Sequence, residues 1–240
     1  AKNDFRTKYA GSYLGIIWSL LEPLLTMIVL TIVFGTILGN HEKTFPVYIL
    51  CGRLLYNFYS TSTKAGLSSI RKNAAMIKKV YVPKYLYTLS SILYNYIIFL
   101  ISLLVLVAVG VVLGVKPTIY LLQAPLALLL VLMLATGCSF ILATLGVFFR
   151  DMEYLWSVAL MLIMYMCAIF YKPERLLSSG FFWILKFNPL YCIISIFRDA
   201  VFGQMMNMHY FLYAVGFSVV TIVVGLVCFI KKQDEFILQI

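Results

Sequence analysis

Charge is what this sequence has least of. Only 12% of its 240 residues are Asp, Glu, Lys or Arg, while 63% are hydrophobic. Soluble domains carry about a quarter charged residues and under half apolar ones. A chain so poor in polar surface cannot cover itself in water, and a soluble domain is excluded. Acid is the scarcer sign, with nine Asp and Glu against nineteen Lys and Arg. None of the nine falls at the centre of an apolar run, which argues against ion coupling through a buried carboxylate. Histidine occurs only at His41 and His209, in outer turns and outside any metal or nucleophile pattern. A membrane enzyme acting on polyprenyl-linked sugars would need paired carboxylates or a metal site, and no candidate stands out. No Gly-rich phosphate loop ending in Gly-Lys-Ser/Thr is present, so this chain does not hydrolyse ATP by the usual design. The five cysteines are odd in number and without a close pair. They read as small hydrophobes between helices, with neither a disulfide framework nor a zinc site. A signal peptide is not evident, and the start at Ala1 without methionine leaves room for preceding residues.

Long apolar runs are what the chain has in abundance. A helix needs about 20 apolar residues to cross the hydrocarbon core, so this length suits five to seven crossings. Asp4 to Leu21 is amphipathic, with Phe5, Tyr9, Tyr13, Ile16, Ile17 and Leu20 at helical spacing. It reads as an interface helix with Trp18 at headgroup depth, the alternative being a plain lead-in to the first span. The first span is expected over Leu20–Gly39, with Glu22 at the boundary and Pro23 in the first turn. The second is awkward, because a span over Phe45–Thr63 would place Arg53 at the bilayer centre, costing about 2.5–3.5 kcal/mol. Starting the buried span near Leu54 and running it to Leu67 is cheaper. Ser60 to Thr63 then faces helices or a cavity, and Lys64 must snorkel or face water.

Ser68 to Lys84 is the most basic stretch, helix-compatible at Asn73–Ile77 and stopped by Pro83. Further spans are expected within Leu86–Leu113, over Tyr120–Phe149, over Tyr154–Tyr171, and over Tyr210–Ile230. The fourth carries Gly137, Ser139, Ala143 and Gly146, suited to close helix contact. Lys172 to His209 is too hydrophobic for a loop, yet each half is too short to span. Two re-entrant or interfacial helices are therefore expected, the second capped by Asn188 with Pro189 at its first position.

With the N-terminus inside, twelve of the nineteen Lys and Arg fall on the inner side. That bias places both termini in the cytoplasm and requires an even number of spans, of which six fits. The net charge of +10 lies in short stretches between apolar runs, the pattern expected beside anionic headgroups and not that of a nucleic-acid surface. The expected fold is all-α: one membrane domain over 1–240, with an interface helix (1–19), six spans (20–230) and a cytoplasmic tail (231–240). Tyr and Phe supply 35 residues, enough for interfacial belts and helix packing, with some left to line a sugar path.

Four stretches carry a resemblance. Arg6 to Leu24, read RTKYAGSYLGIIWSLLEPL, looks like the N-terminal signature of polysaccharide ABC exporter permeases. Asn73 to Lys79 with Val82-Pro83-Lys84, Phe148 to Met152, and Phe187 to Leu190 agree in order and spacing. The chain thus resembles the transmembrane subunits that export O-antigen or wall teichoic acid across the bacterial cytoplasmic membrane. The resemblance implies two copies of the permease with two ATP-binding subunits, which would supply ATP and Mg; this chain needs no cofactor of its own. It implies a coupling helix docking on the ATPase, here Arg71, Lys72, Asn73, Met76, Ile77, Lys78 and Lys79, with Arg150 and Asp151 as a second contact. It implies an outer gate in the two short helices, here Phe181, Trp183, Asn188, Pro189 and Arg198. Candidates for the path of the lipid-linked polymer are Trp18, Arg53, Tyr56, Phe58, Tyr59, Tyr165 and Phe170. Arg53 departs from the usual apolar residue and is expected near the exit, against phosphates of an anionic polymer or outer headgroups. A teichoic-acid type of polymer is marginally preferred; the alternatives are an ABC exporter for a small molecule or drug, the enzyme above, and a passive channel.

Overall fold

A computed structural model of the chain describes residues 18–38, 43–79, 82–171, 173 and 182–236. Among them every regular element is helical: α1 Trp18–Leu38, α2 Phe45–Lys72, α3 Ala74–Ile77, α4 Tyr85–Val112, a 3-10 turn Ile119–Gln123 leading into α5 Ala124–Phe148, α6 Met152–Met166, α7 Phe182–Lys186, α8 Pro189–Phe202 and α9 Met208–Lys232. The expected interface helix falls at residues 1–17, outside those described, and Trp18 already belongs to α1. Phe181 also lies outside them.

Three helical stretches are long and apolar enough to cross a membrane by themselves, Tyr85–Val112, Ile119–Phe148 and Met208–Lys232. At 1.5 Å per residue each reaches roughly 37–45 Å, enough for a hydrocarbon core of about 30 Å. α2 is equally long but carries charge, and it is largely enclosed. α1, α4, α5, α6 and α8 all pack against it, and eighteen of its 28 residues are buried. It needs no lipid-compatible surface because protein surrounds it.

The helices approach closely where glycine meets a neighbour. A Cβ on Gly66 would stand 2.6 Å from the Cβ of Ser139, and one on Gly146 would stand 2.5 Å from the carbonyl of Leu67. These contacts seat α5 on α2. On the other side of α5, a Cβ on Gly137 would meet the α9 backbone at Thr221 and Ile222, both at 2.6 Å. Small residues allow this approach, where dispersion replaces the hydrophobic drive that is missing between helices in lipid.

Four expectations are corrected. α2 starts at Phe45, with Pro46 in its first turn, and not near Leu54; Arg53 therefore lies well inside a helix. Arg71 and Lys72, expected beyond the end of the second span near Leu67, form its last turn. α6 stops at Met166, five residues before the expected end at Tyr171, and Ala168 has a positive φ of 46°. Its fifteen residues reach only about 22 Å. Pro23 lies inside α1 and not in its first turn, because the helix already includes Trp18.

The glycine contacts make a prediction. Gly137→Ala should lower the melting temperature of the detergent-purified protein, since overpacking costs about 1–3 kcal/mol. Gly216→Ala on α9, where a Cβ meets nothing within 4 Å, should leave it unchanged or raise it. Equal melting temperatures for the two variants would refute the packing account.

Candidate functional site

From Ile49 to Ile70 every residue of α2 is buried except Arg53, Asn57, Ser60, Thr61, Lys64 and Ala65. At 100° per residue these six fall within roughly 140° of the helix circumference and make one stripe. Five of the six are polar and two are cations. From Arg53 to Lys64 the stripe runs about 16 Å, and it leaves equal lengths of α2, roughly 12 Å each, on either side. It therefore occupies the middle of the helix. A charged side chain facing hydrocarbon at that depth costs about 2.5–3.5 kcal/mol, so the stripe faces water or other protein.

α1 forms one edge of the stripe. Glu22 shares a small pocket of about 100 Å³ and mixed lining with Asn57 and Thr61 of α2 and Asn95 and Ser102 of α4, alongside Leu54, Phe58 and Phe99. The volume admits about three waters. Sharing it places Glu22 level with the middle of α2 and not at a membrane boundary. The expectation that no acid reaches mid-height is thereby overturned. The reason is geometric: the first described turn of α1 packs beside the centre of the longer helix α2. Glu22 is exposed, and it is the carboxylate that acts electrostatically on Arg53.

α6 forms the other edge. Arg53 Nη1 lies 3.2 Å from the Met164 sulfur, its guanidinium is 5.9 Å from the Tyr56 ring centre, and its buried Nε has no partner in the described residues. Tyr56 donates its hydroxyl to the Leu160 carbonyl at 2.8 Å, and Trp156 donates Nε1–H to Thr63 at 3.0 Å. Of the expected path residues, Trp18, Arg53 and Tyr165 reach the surface, Trp18 and Tyr165 being 44% and 57% exposed. Tyr56, Phe58, Tyr59 and Phe170 are buried in the bundle; Phe58, for example, stacks on Phe99 at 5.1 Å. Within this chain they do not line an open path, because α2 turns Tyr56, Phe58 and Tyr59 toward α4, α5 and α6, and Phe170 is buried in the segment after α6. Glu22 and Asn57 were missed, whereas Ser60, Thr61 and Lys64, expected to face a cavity or water, were not counted among the path residues. The recurrence of polar residues at 53, 57, 60 and 64 inside an apolar helix was the signal that would have found them.

At the end of the bundle that holds α3, Lys72, Met76, Lys78, Lys79, Arg150 and Asp151 are exposed, and Ile77 alone of α3 is buried. Asn73 donates its side-chain amide to the Ser69 carbonyl at 2.7 Å, closing the turn between α2 and α3. Arg71 pairs with Glu153, which joins the end of α2 to the first turn of α6.

At the opposite end α8 inserts two polar side chains. Asn188 caps the helix, accepting from the backbone N–H of Leu190 at 3.1 Å and of Tyr191 at 3.5 Å, and its Nδ2 donates to the Met166 carbonyl at 3.3 Å. Arg198, expected among outer cations, is instead 5% exposed. Its Nε and Nη2 donate to the Tyr48 carbonyl at 3.3 and 3.2 Å, Nη1 to that of Ala168 at 3.1 Å, and Nη2 to that of Ile169 at 3.4 Å. The guanidinium also lies 3.5 Å from the Tyr48 ring centre. A Cβ at Gly52 would come 2.6 Å from Nη2, so glycine is needed there. These captured carbonyls explain why α6 ends at Met166. Beside the clamp is a cavity of about 380 Å³ lined by Thr44, Tyr48, Ser195, Arg198, Asp199 and Gln204 among others. Burial pushes the Asp199 carboxyl up to about 6, against the opposing pull of the Asn207 backbone and Arg198. Trp183 and Pro189 border a more apolar hollow of about 530 Å³ beside α6.

Arg198→Gln should destabilise the protein measurably, because hydrogen bonds from a charged donor contribute about 1.5–3 kcal/mol each and three carbonyls would lose theirs. Gly52→Ala should produce the same defect by displacing the guanidinium. A melting temperature within experimental error of wild type for Arg198→Gln would dispose of the clamp.

Comparison with known proteins agrees with this architecture. The chain is 28% identical over 236 residues to an O-antigen export system permease protein RfbA of Klebsiella pneumoniae, covering 97% of this chain and 90% of the relative. A protein of the same name from Myxococcus xanthus is 26% identical over 85% of this chain and 78% of its own length. The polysialic acid transport protein KpsM of Escherichia coli is 23% identical over 98% of this chain and 92% of its own length. Residues 1–202 match the family of ABC-2 type transporters, and the chain belongs to it, as a multi-pass membrane subunit of a bacterial transporter.

Proposed function

We propose that this chain is the permease of an ATP-driven exporter moving a lipid-linked surface polysaccharide across the bacterial cytoplasmic membrane. The observation that carries the reading is the polar stripe at mid-height of α2. A passage for a hydroxyl-rich polymer needs hydrogen-bonding groups in the middle of the membrane, where lipid-facing helices have none. The names of the relatives support a polysaccharide over a small molecule or drug. They also favour an O-antigen-like or sialic-acid-type polymer over the teichoic-acid type. Arg53 and Lys64 suit anionic groups on the chain, with Glu22 limiting how tightly they hold it.

In this reading α1, α2, α4, α5, α6 and α9 are the six crossings and α7 and α8 are re-entrant. α6 is short because the segment at 167–171 and α8 complete its side of the bundle at the outer face. Both termini lie in the cytoplasm, as the distribution of cations favours. Two copies enclose the path, with the α2 stripe between α1 and α6 facing it. Energy comes from a separate subunit binding ATP and Mg. That subunit docks on the end bearing α3, where Met76 is 55% exposed among Lys72, Lys78 and Lys79. Arg150 and Asp151 lie beside it as a second contact.

Two measurements check this. In a cysteine-free background, Asn57→Cys and Thr61→Cys should react with a charged, membrane-impermeant thiol reagent, whereas Leu104→Cys on the apolar face of α4, 63% exposed, should not. If Asn57→Cys is as inert as Leu104→Cys, the stripe is not a water-filled path. Copurification with candidate ATPase subunits should yield a complex whose assembly or ATP turnover falls at least tenfold in Met76→Glu. Intact transport without any ATPase would indicate a passive channel instead. Arg53→Leu should reduce export and polymer-stimulated ATP turnover; no change would remove Arg53 from polymer contact.

A further inference from the structure

The single buried side chain of α3, Ile77, does not join the main core. It enters a second cluster with Ile70 of α2, Phe140 and Val147 of α5, Phe229 of α9, and Phe236 from the segment that follows α9. A tail beyond a last membrane helix ordinarily frays into water. Here Phe236 is completely buried. Its ring meets that of Phe229 edge-on at 5.2 Å and that of Phe148 at 6.1 Å. The same short tail holds the far side of the α3 segment. Lys84, the N-cap residue just before α4, donates from Nζ to the Gln233 carbonyl, and its ammonium lies 5.9 Å from the Phe236 ring centre. Residues 233–236 therefore hold the residues on either side of α3's end at two points, at Ile77 through a shared cluster and at Lys84 directly.

A push on α3 reaches the membrane helices only through what α3 is fastened to. It continues from α2 through the turn that Asn73 closes, and of its own four residues Ile77 alone is buried against the bundle. We propose that the tail, through Phe236, is the joint that fastens the α3 segment to α9. Displacement of α3 by the partner ATPase then passes into α9 and, because α9 packs on α8, to the re-entrant helices at the opposite face. Phe236 is thus a positioning residue for energy coupling; it touches neither nucleotide nor polymer. The inference rests on the exporter reading above for its functional half. Its mechanical half stands on this chain alone.

The test separates the two halves. In the purified permease, hydrogen exchange of backbone amides in 73–84 should accelerate at least tenfold in Phe236→Ala and in Lys84→Met. Phe236→Leu, which refills the socket, should stay near wild type. Unchanged exchange in a folded Phe236→Ala protein overturns the joint whether or not an ATPase is involved. In the reconstituted complex with its ATPase, Phe236→Ala should still assemble and hydrolyse ATP at the basal rate. Polymer exported per ATP should fall about tenfold and recover in Phe236→Leu. A merely structural role would lower the yield of complex and leave export per ATP constant, which also overturns the proposal. Accelerated exchange without any ATPase complex in the wild type would leave the joint standing and sink the exporter reading instead.

Discussion

A charge cannot face hydrocarbon without a cost of a few kcal/mol, and the arrangement of this bundle follows from where that rule is met. α2 carries two cations in its middle and could not cross a membrane among lipids. It is enclosed among helices instead: α1, α4, α5, α6 and α8 cover it, leaving open between Ile49 and Ile70 the stripe that carries Arg53, Asn57, Thr61 and Lys64. The lipid-compatible surface is supplied by others. α4 exposes Leu93, Ile97, Leu100, Leu104, Val107 and Val111, and α9 exposes Val219, Val220, Val223 and Val224. Greasy helices outside and a polar one within are a single solution to one constraint.

The two ends of the bundle are fastened by different chemistry. At the α8 end one buried guanidinium collects three carbonyls and covers an aromatic ring, joining α2, the end of α6 and α8. Buried cations are tolerated only when their donors are matched, and here peptide carbonyls do this in place of a carboxylate. At the α3 end the fastening is mostly apolar and aromatic, with a surface ion pair between Arg71 and Glu153. An exposed pair of that kind contributes about 0–1 kcal/mol, so the rings of Phe148, Phe229 and Phe236 hold that end more than the charges do.

Much of this was legible in the sequence, and the exceptions share a cause. α4, α5 and α9 were readable within a residue or two at most of their ends, because lipid selects long apolar runs and Lys84, Lys116 and Lys231 mark the limits. The cap at Asn188 and the short helix after it were legible for the same local reason. α2 was not, because the rule linking apolar runs to spans assumes lipid as the surroundings. The end of α6 was not, because Arg198, some thirty residues downstream, decides which carbonyls leave the helix. The height of Glu22 depended on how α1 is staggered against α2, which no window on α1 contains. The buried rings of Tyr56, Phe58 and Tyr59 looked like path residues because composition records an aromatic but not the side of the helix it occupies.

The spacing along the stripe has a consequence for anything that slides over it. Arg53 and Lys64 stand about 16 Å apart, with only an amide and two hydroxyls between them. A polymer passing over such a surface would trade one weak hydrogen bond for the next and meet a cation only about once in 16 Å of travel. Denser charge would trap the chain, and an apolar wall would strip its water. A sparse polar track would instead present a nearly level energy profile, so friction would stay low however long the cargo is. A path of that kind can pass chains of any length without recognising where they end.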